Sequence, residues 1–264
     1  MTTLTIQWLR LRTIRPGYLV ERNFFVHRRA WLLMLTGLLE PLFYLLGLGI
    51  GVGALVGDIT VGDRSFPYAT FVAPAVFASA AMTAAISETT FNVFGKLKFA
   101  KLYDGITATP MRPMDIALGE GLWALIRSVI YLVAFVAVMA LLGMVDSAWA
   151  LLAIPAGILL GAAFVGIGLT LSTFFKSWTD FDWVMSFVFV MFFFSGTFAP
   201  IDTYPMVLQW VVHLSPLYHG IELTRGVMLG MPSWTMLINV AYLALVCVVG
   251  IAIASKRMAR LLYK

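Results

Sequence analysis

Apolar residues collect in six long runs, at roughly 31–55, 68–94, 119–143, 148–174, 183–200 and 234–255, and charge marks their ends. A helix that spans the hydrocarbon core needs about 20 mostly apolar residues. Tyr68 to Ser87, Ser147 to Phe175 and Gly226 to Ser255 carry no charge at all. The first run contains a charge, Glu40, and so does the third, where Arg127 lies well inside the run. The pattern predicts an all-α integral membrane fold with six transmembrane helices. Two units follow: a cytoplasmic amphipathic segment over 1–30 and a membrane domain over 31–264.

The basic residues between the runs alternate with the compartments. One side holds 15: six in the first 30 residues (Arg10, Arg12, Arg15, Arg22, Arg28, Arg29), then Lys96, Lys98, Lys101, Arg112, Lys176, Lys256, Arg257, Arg260 and Lys264. The other side holds 2, Arg64 and Arg225. Lys and Arg accumulate on the cytoplasmic side, so both termini are expected in the cytoplasm of a multi-pass inner-membrane protein.

The segment 201–233 departs from this scheme. It is too apolar for a solvated loop, with Val207, Leu208, Trp210, Val211, Val212, Leu214, Leu217, Ile221 and Leu223. Pro205 and Pro216 divide it into pieces of about ten residues, too short to span. A seventh span would carry the basic tail outside. Two arrangements fit: a re-entrant helical hairpin that dips into the outer leaflet, or a helix pair packed on the outer surface. At the other end, Leu4, Trp8, Leu11 and Tyr18 recur at helical spacing between arginines, and Pro16-Gly17 is expected to break the run. This segment suits the inner interface, either as an anchor or as a docking surface.

Composition narrows the function. The chain is 61% apolar and 12% charged, against about 25% charged for a soluble domain. Little mass remains for a soluble catalytic domain. The net charge of +5 follows from topology and does not call for nucleic acid. Cys247 stands alone, so no intrachain disulfide can form. No cleavable signal peptide is expected, because the arginine-rich start has no continuous apolar core. No phosphate-binding glycine loop occurs; Gly95-Lys96 lacks the earlier glycine. His27, His213 and His219 are scattered. No metal, no cofactor and no catalytic residue is expected in this chain. No internal repeat is evident, which weakens an inverted-repeat transporter.

Two features remain as candidate sites. The inner loop 95–118 offers a short helix over Lys96–Tyr103, stopped by Gly105, with Lys96, Lys98, Phe99, Lys101, Leu102 and Tyr103 as a docking set. A solvated basic turn is the plainer reading. The second feature is intramembrane charge. At 1.5 Å per residue, Glu88 lies roughly 10 Å, Arg127 roughly 12 Å and Glu40 roughly 13 Å from the inner boundary. One shared depth allows an ion-paired cluster, with Glu88 and Arg127 on adjacent antiparallel spans as the expected pair and Glu40 as the rival partner, serving either a gate or a structural tie.

The chain also carries Leu39-Glu40-Pro41, Thr109-Pro110-Met111-Arg112-Pro113, Leu118-Gly119-Glu120, Ser195-Gly196-Thr197-Phe198-Ala199-Pro200-Ile201-Asp202, and Leu214-Ser215-Pro216-Leu217-Tyr218-His219-Gly220-Ile221-Glu222-Leu223-Thr224-Arg225. In this order they resemble the permease subunit of ABC type-2 exporters over nearly the whole chain. The resemblance is strongest to the branch that exports nodulation lipo-oligosaccharides and drugs such as daunorubicin, hence multidrug efflux and antibiotic resistance. It implies a homodimer or paired permease joined to two copies of a cytoplasmic ATP-binding subunit, which would carry the ATP and Mg. It implies that 95–105 is the coupling helix and 1–30 the connecting helix. It also places an outer hairpin at 203–230, with Pro200, Asp202, Pro216, His219, Glu222 and Arg225 as its candidate residues. The cargo implied is an amphipathic drug, lipid or lipo-oligosaccharide. Two rivals stand beside this: a secondary transporter driven by an ion gradient through Glu40, Glu88 and Arg127, and a non-transporting assembly subunit.

Overall fold

The computed structural model describes residues 2–28, 31–61, 64–144 and 148–263. Arg29, Lys264 and the turn at Asp146 lie outside the described residues, as do the side chains of Leu4, Trp8, Arg10, Leu11 and Arg12.

Helix α1 (Thr2–His27) runs unbroken through Pro16. The expected break at Pro16-Gly17 does not occur. A proline removes one helix hydrogen bond, and packing can hold the rest. Here α1 lies against α6 at Gly119, where an added Cβ would meet the Leu19 side chain at 2.8 Å and the Pro16 carbonyl at 2.9 Å. The first span is α2 (Trp31–Leu46), a π-helical stretch (Gly47–Val52) and α3 (Gly53–Val56). An antiparallel ribbon of β1 (Asp58–Val61) and β2 (Arg64–Pro67) follows, pairing Ile59 with Phe66. This small ribbon is an addition to an otherwise helical architecture, which agrees with the expected all-α class. Asp-Ile-Thr-Val alternates in exposure as a strand does.

Helix α4 (Tyr68–Ser87) continues through π turns at Glu88–Asn92 and Gly95–Phe99. Thr89 and Thr90 hydroxyls donate to the carbonyls of Ala85 (2.6 Å) and Ile86 (2.7 Å), competing with backbone donors where the helix widens. The expected single helix over Lys96–Tyr103 is then corrected. The chain breaks at Lys101, in the left-handed region at φ +46°, and restarts as α5 (Leu102–Thr107), which runs through Gly105. Helix α6 (Pro113–Leu141) starts with proline in its first turn, and the Asp115 carboxylate accepts from the Arg112 backbone N–H at 2.9 Å.

A 3₁₀ turn (Ala148–Leu152) leads into α7 (Ala153–Ser172), then α8 (Asp180–Phe194). A 3₁₀ turn (Ile201–Thr203), α9 (Met206–His213), α10 (Pro216–Met228) and α11 (Thr235–Leu262) complete the chain. Helix α7 is central, touching α4, α6, α10 and α11. Glycines allow its crossing with α11: a Cβ on Gly250 would lie 2.6 Å from the Gly166 carbonyl carbon. The outward faces of α6 and α11 are apolar, with Ile126, Ile130, Leu245 and Val248 exposed, as lipid contact requires.

Among the described residues, five helical segments are long and apolar enough to cross a membrane: Leu39–Val56, Tyr68–Phe99, Pro113–Leu141, Trp149–Ser172 and Thr235–Leu262. The sixth run, expected at 183–200, is helical only to Phe194. Gly196, at φ +75°, lies in the bend beyond its end. Fifteen residues make about 22 Å of helix, less than the core thickness of about 30 Å.

Candidate functional site

The loop at 95–107 is fastened at its root by Glu120, which is 2% exposed. Its Oε2 accepts from Lys96 Nζ at 2.7 Å and from Asn23 Nδ2 at 2.9 Å. Its Oε1 accepts from the Tyr103 hydroxyl at 3.0 Å. Lys96 also donates to Asn23 Oδ1 at 3.1 Å. Glu120 thus joins α1, the end of α4, α5 and α6. Burial, then the Glu120 charge and the hydrogen bond to it, holds the Tyr103 hydroxyl well above its ordinary pKa. Arg15 adds a second tie, donating to the Pro110 carbonyl at 3.0 Å.

The six expected docking residues therefore separate. Lys96 and Tyr103 point inward, Leu102 is half-buried, and Lys98, Phe99 and Lys101 are exposed. Tyr103 is fully buried, which corrects its place in an exposed set. Phe99 is 61% exposed, yet its ring stacks on Trp178 with centroids 5.3 Å apart and planes 16° from parallel. Trp178 belongs to the loop between α7 and α8. There Asp180 accepts from the Lys176 and Ser177 backbone N–H groups, and these bonds hold its carboxyl below its ordinary pKa. Phe94 packs against both loops, meeting Phe99 at 5.7 Å and Trp178 at 5.2 Å. One aromatic cluster thus makes a single face of the two loops.

Within the membrane, Arg127 Nη1 donates to Glu88 Oε2, and Arg127 Nη2 donates to the Tyr131 hydroxyl at 3.0 Å. The pair joins the end of α4 to α6. It borders a cavity of about 600 Å³ between α2, α4, α6 and α8, and Glu40, Tyr44 and Phe192 line the same space. Shared depth brings the three charges to one cavity, although among the described residues Glu40 makes no ion pair.

Several of the residues expected in a hairpin are held by the bundle. Arg225 is buried against the Phe71 ring at 4.1 Å and donates to the Gly196 carbonyl (2.7 Å) and to Glu222 Oε1 (3.0 Å). His219 bonds Asn239 (2.7 Å) and the His213 carbonyl (2.9 Å) and stacks on Tyr242. Pro216 starts α10, Pro200 precedes the 3₁₀ turn, and Asp202 is exposed within that turn. Trp210, Val211 and Leu214 of the α9 segment face outward. Among the described residues, no group of three His, Cys, Asp or Glu side chains is placed to hold a metal ion.

The ABC-2 type transporter profile matches residues 17–229, from the middle of α1 to the end of α10. The chain belongs to the ABC-2 type transporter family. Its similar proteins include Nodulation protein J of Rhizobium leguminosarum bv. trifolii, 34% identical over 92% of both chains. Nodulation protein J of Bradyrhizobium diazoefficiens is 33% identical over 79% of both, and that of Rhizobium meliloti is 31% identical over 80% of both. In this ABC-2 chain, Glu120 and Trp178 are the residues that sequence reasoning passed over as site candidates. Glu120 stood only in a family motif, at the start of an apolar run that hides its burial. Trp178 lay in a turn of ordinary composition.

Proposed function

We propose that this chain is the membrane subunit of an ATP-driven exporter that moves an amphipathic molecule outward, with ATP hydrolysed on two copies of a separate cytoplasmic subunit. One observation carries the reading. The exposed Phe99–Trp178 face, flanked by Lys98 and Lys101, sits on a loop whose root is tied through Lys96 and Tyr103 to Glu120 of a spanning helix. A push on that face therefore has a stiff route into the bundle. In this reading α1 is the connecting helix and the loop at 95–107 is the coupling element. Helix α8 with 195–200 makes the sixth span, and α9 and α10 form a re-entrant hairpin. Both termini are cytoplasmic, and a second permease completes the path. The resemblance to nodulation-type exporters supports a lipid, lipo-oligosaccharide or drug as cargo.

The test is co-expression with an ATP-binding subunit encoded beside it, followed by uptake into inside-out vesicles. Uptake should require ATP hydrolysis. Phe99→Ser with Trp178→Ser should abolish co-purification and uptake while the permease still inserts. Uptake that follows a proton gradient without ATP, or full coupling in the double variant, would overturn the reading.

A further inference from the structure

The cavity between α2, α4, α6 and α8 has unequal charge. Two carboxylates, Glu40 and Glu88, line it beside one guanidinium, Arg127. Arg127 is already engaged, by Glu88 and by Tyr131. Glu88 is 6% exposed, and its Oε1 has no hydrogen-bond partner. Glu40 is exposed on the cavity side of α2 and, among the described residues, forms no ion pair. An uncompensated carboxylate at membrane depth is costly and marks a site that receives a counter-charge. The rest of the wall is aromatic. Tyr44 and Phe192 meet with ring centroids 5.4 Å apart, and Phe189 and Phe91 line the same space. Aromatic faces attract a cation and repel an anion.

We propose that this cavity binds a lipophilic organic cation, with Glu40 as its counter-charge and the Tyr44, Phe189 and Phe192 rings as its wall. Such a ligand brings the missing positive charge and an apolar body matched to the aromatic wall. A lipophilic anion would meet two carboxylates. A neutral sugar headgroup would leave Glu40 uncompensated. The inference rests on the exporter reading only for what happens to the molecule once bound.

The test is binding without ATP or an ATP-binding subunit, so its failure leaves the transport test of that reading untouched. The full chain in lipid nanodiscs is titrated with tetraphenylphosphonium and with tetraphenylborate, ions of one shape and opposite charge, with empty discs subtracted. Saturable binding of the cation and none of the anion is expected. Glu40→Gln should weaken the cation about tenfold, equivalent to about 1.4 kcal/mol. Glu40→Asp should recover part of the loss, and Asp58→Asn, in the outer ribbon, should change nothing. Thermal unfolding of Glu40→Gln at the wild-type temperature separates lost binding from lost fold. Two outcomes overturn the proposal: protein-dependent binding of the anion as tight as that of the cation, or equal cation binding by wild type and Glu40→Gln.

Discussion

Lys96 and Glu120, twenty-four residues apart, meet at 2.7 Å where the loop at 95–107 joins the bundle. The contact is nearly dry on the Glu120 side and is shared with Asn23 and Tyr103. Removing one partner from a buried pair leaves the others unsatisfied. Glu120→Ala should therefore cost about 3–5 kcal/mol, read as a lower unfolding temperature in detergent. Glu120→Gln keeps one acceptor oxygen, enough for Tyr103 or for Asn23 and Lys96 but not for both sets, and should fall between Ala and wild type. Equal stability of the Ala variant and wild type would remove the clamp from the argument.

Tyr103 gives the clamp a pH signature. Its folded pKa is raised by burial and by Glu120 above the ordinary value of 10.0. A raised pKa adds stability that is fully present below the ordinary value and is lost as pH rises through the folded one. Wild type should therefore lose stability above about pH 10 more steeply than Tyr103→Phe, which has no phenol to ionise. Lysines titrate in the same range in both proteins, so the difference between the two curves is the measurement.

Glu88 and Arg127 pair across α4 and α6. Either single change, Glu88→Gln or Arg127→Gln, should lower stability by several kcal/mol, in the range of about 3–5. The exchange Glu88→Arg with Arg127→Glu should restore part of it. Glu40→Gln, with no ion pair to lose, should leave stability near wild type. A double exchange no better than its worse single would show that the pair does not act as a unit.

Gly250 and Gly166 set the approach of α7 and α11, and the Thr170 hydroxyl bonds the Gly250 carbonyl at 2.8 Å in the same crossing. Gly250→Ala forces a Cβ into backbone and should cost about 1–3 kcal/mol. Gly105→Ala, with open space at its Cβ position, is the control and should cost nothing. Matching losses at both positions would argue against a close crossing.

Topology can be read with single cysteines in a Cys247→Ser background. Cysteines at Asp58 and Tyr204 should react with an impermeant reagent from outside, and those at Lys101, Lys176 and Arg260 should not. Labelling of 176 and 204 from one side would mean that α8 does not cross.

The membrane character, the placement of five spans and the charge asymmetry between the loops were legible along the chain. Each depends on local runs: apolar length sets insertion, and lysine and arginine counts set sidedness. The shared level of Glu40, Glu88 and Arg127 along their helices was legible too, since helical rise converts residue number into height, and the three line one cavity. Partner choice was legible in part: adjacent antiparallel spans at one height pointed to Glu88 with Arg127, and that pair forms, with Glu40 left as the rival that has no ion pair among the described residues. Glu88 and Glu40 stood at similar depth, and rotation of α4 and α6 selected Glu88. The ribbon at 58–67 was missed because two four-residue strands are too short to stand out beside twenty-residue runs. The unbroken α1 was missed because Pro16 is a local breaker, and its helix is kept by packing on Gly119, about a hundred residues away. Tyr103 and Phe99 sit four residues apart on a basic loop and looked alike. A left-handed backbone at Lys101 turned one inward to Glu120 and left the other stacked on Trp178. Periodicity describes how one element faces its surroundings. Which distant groups meet depends on how several elements close-pack at once, and that is where the clamp, the charge pair and the shared aromatic face arise.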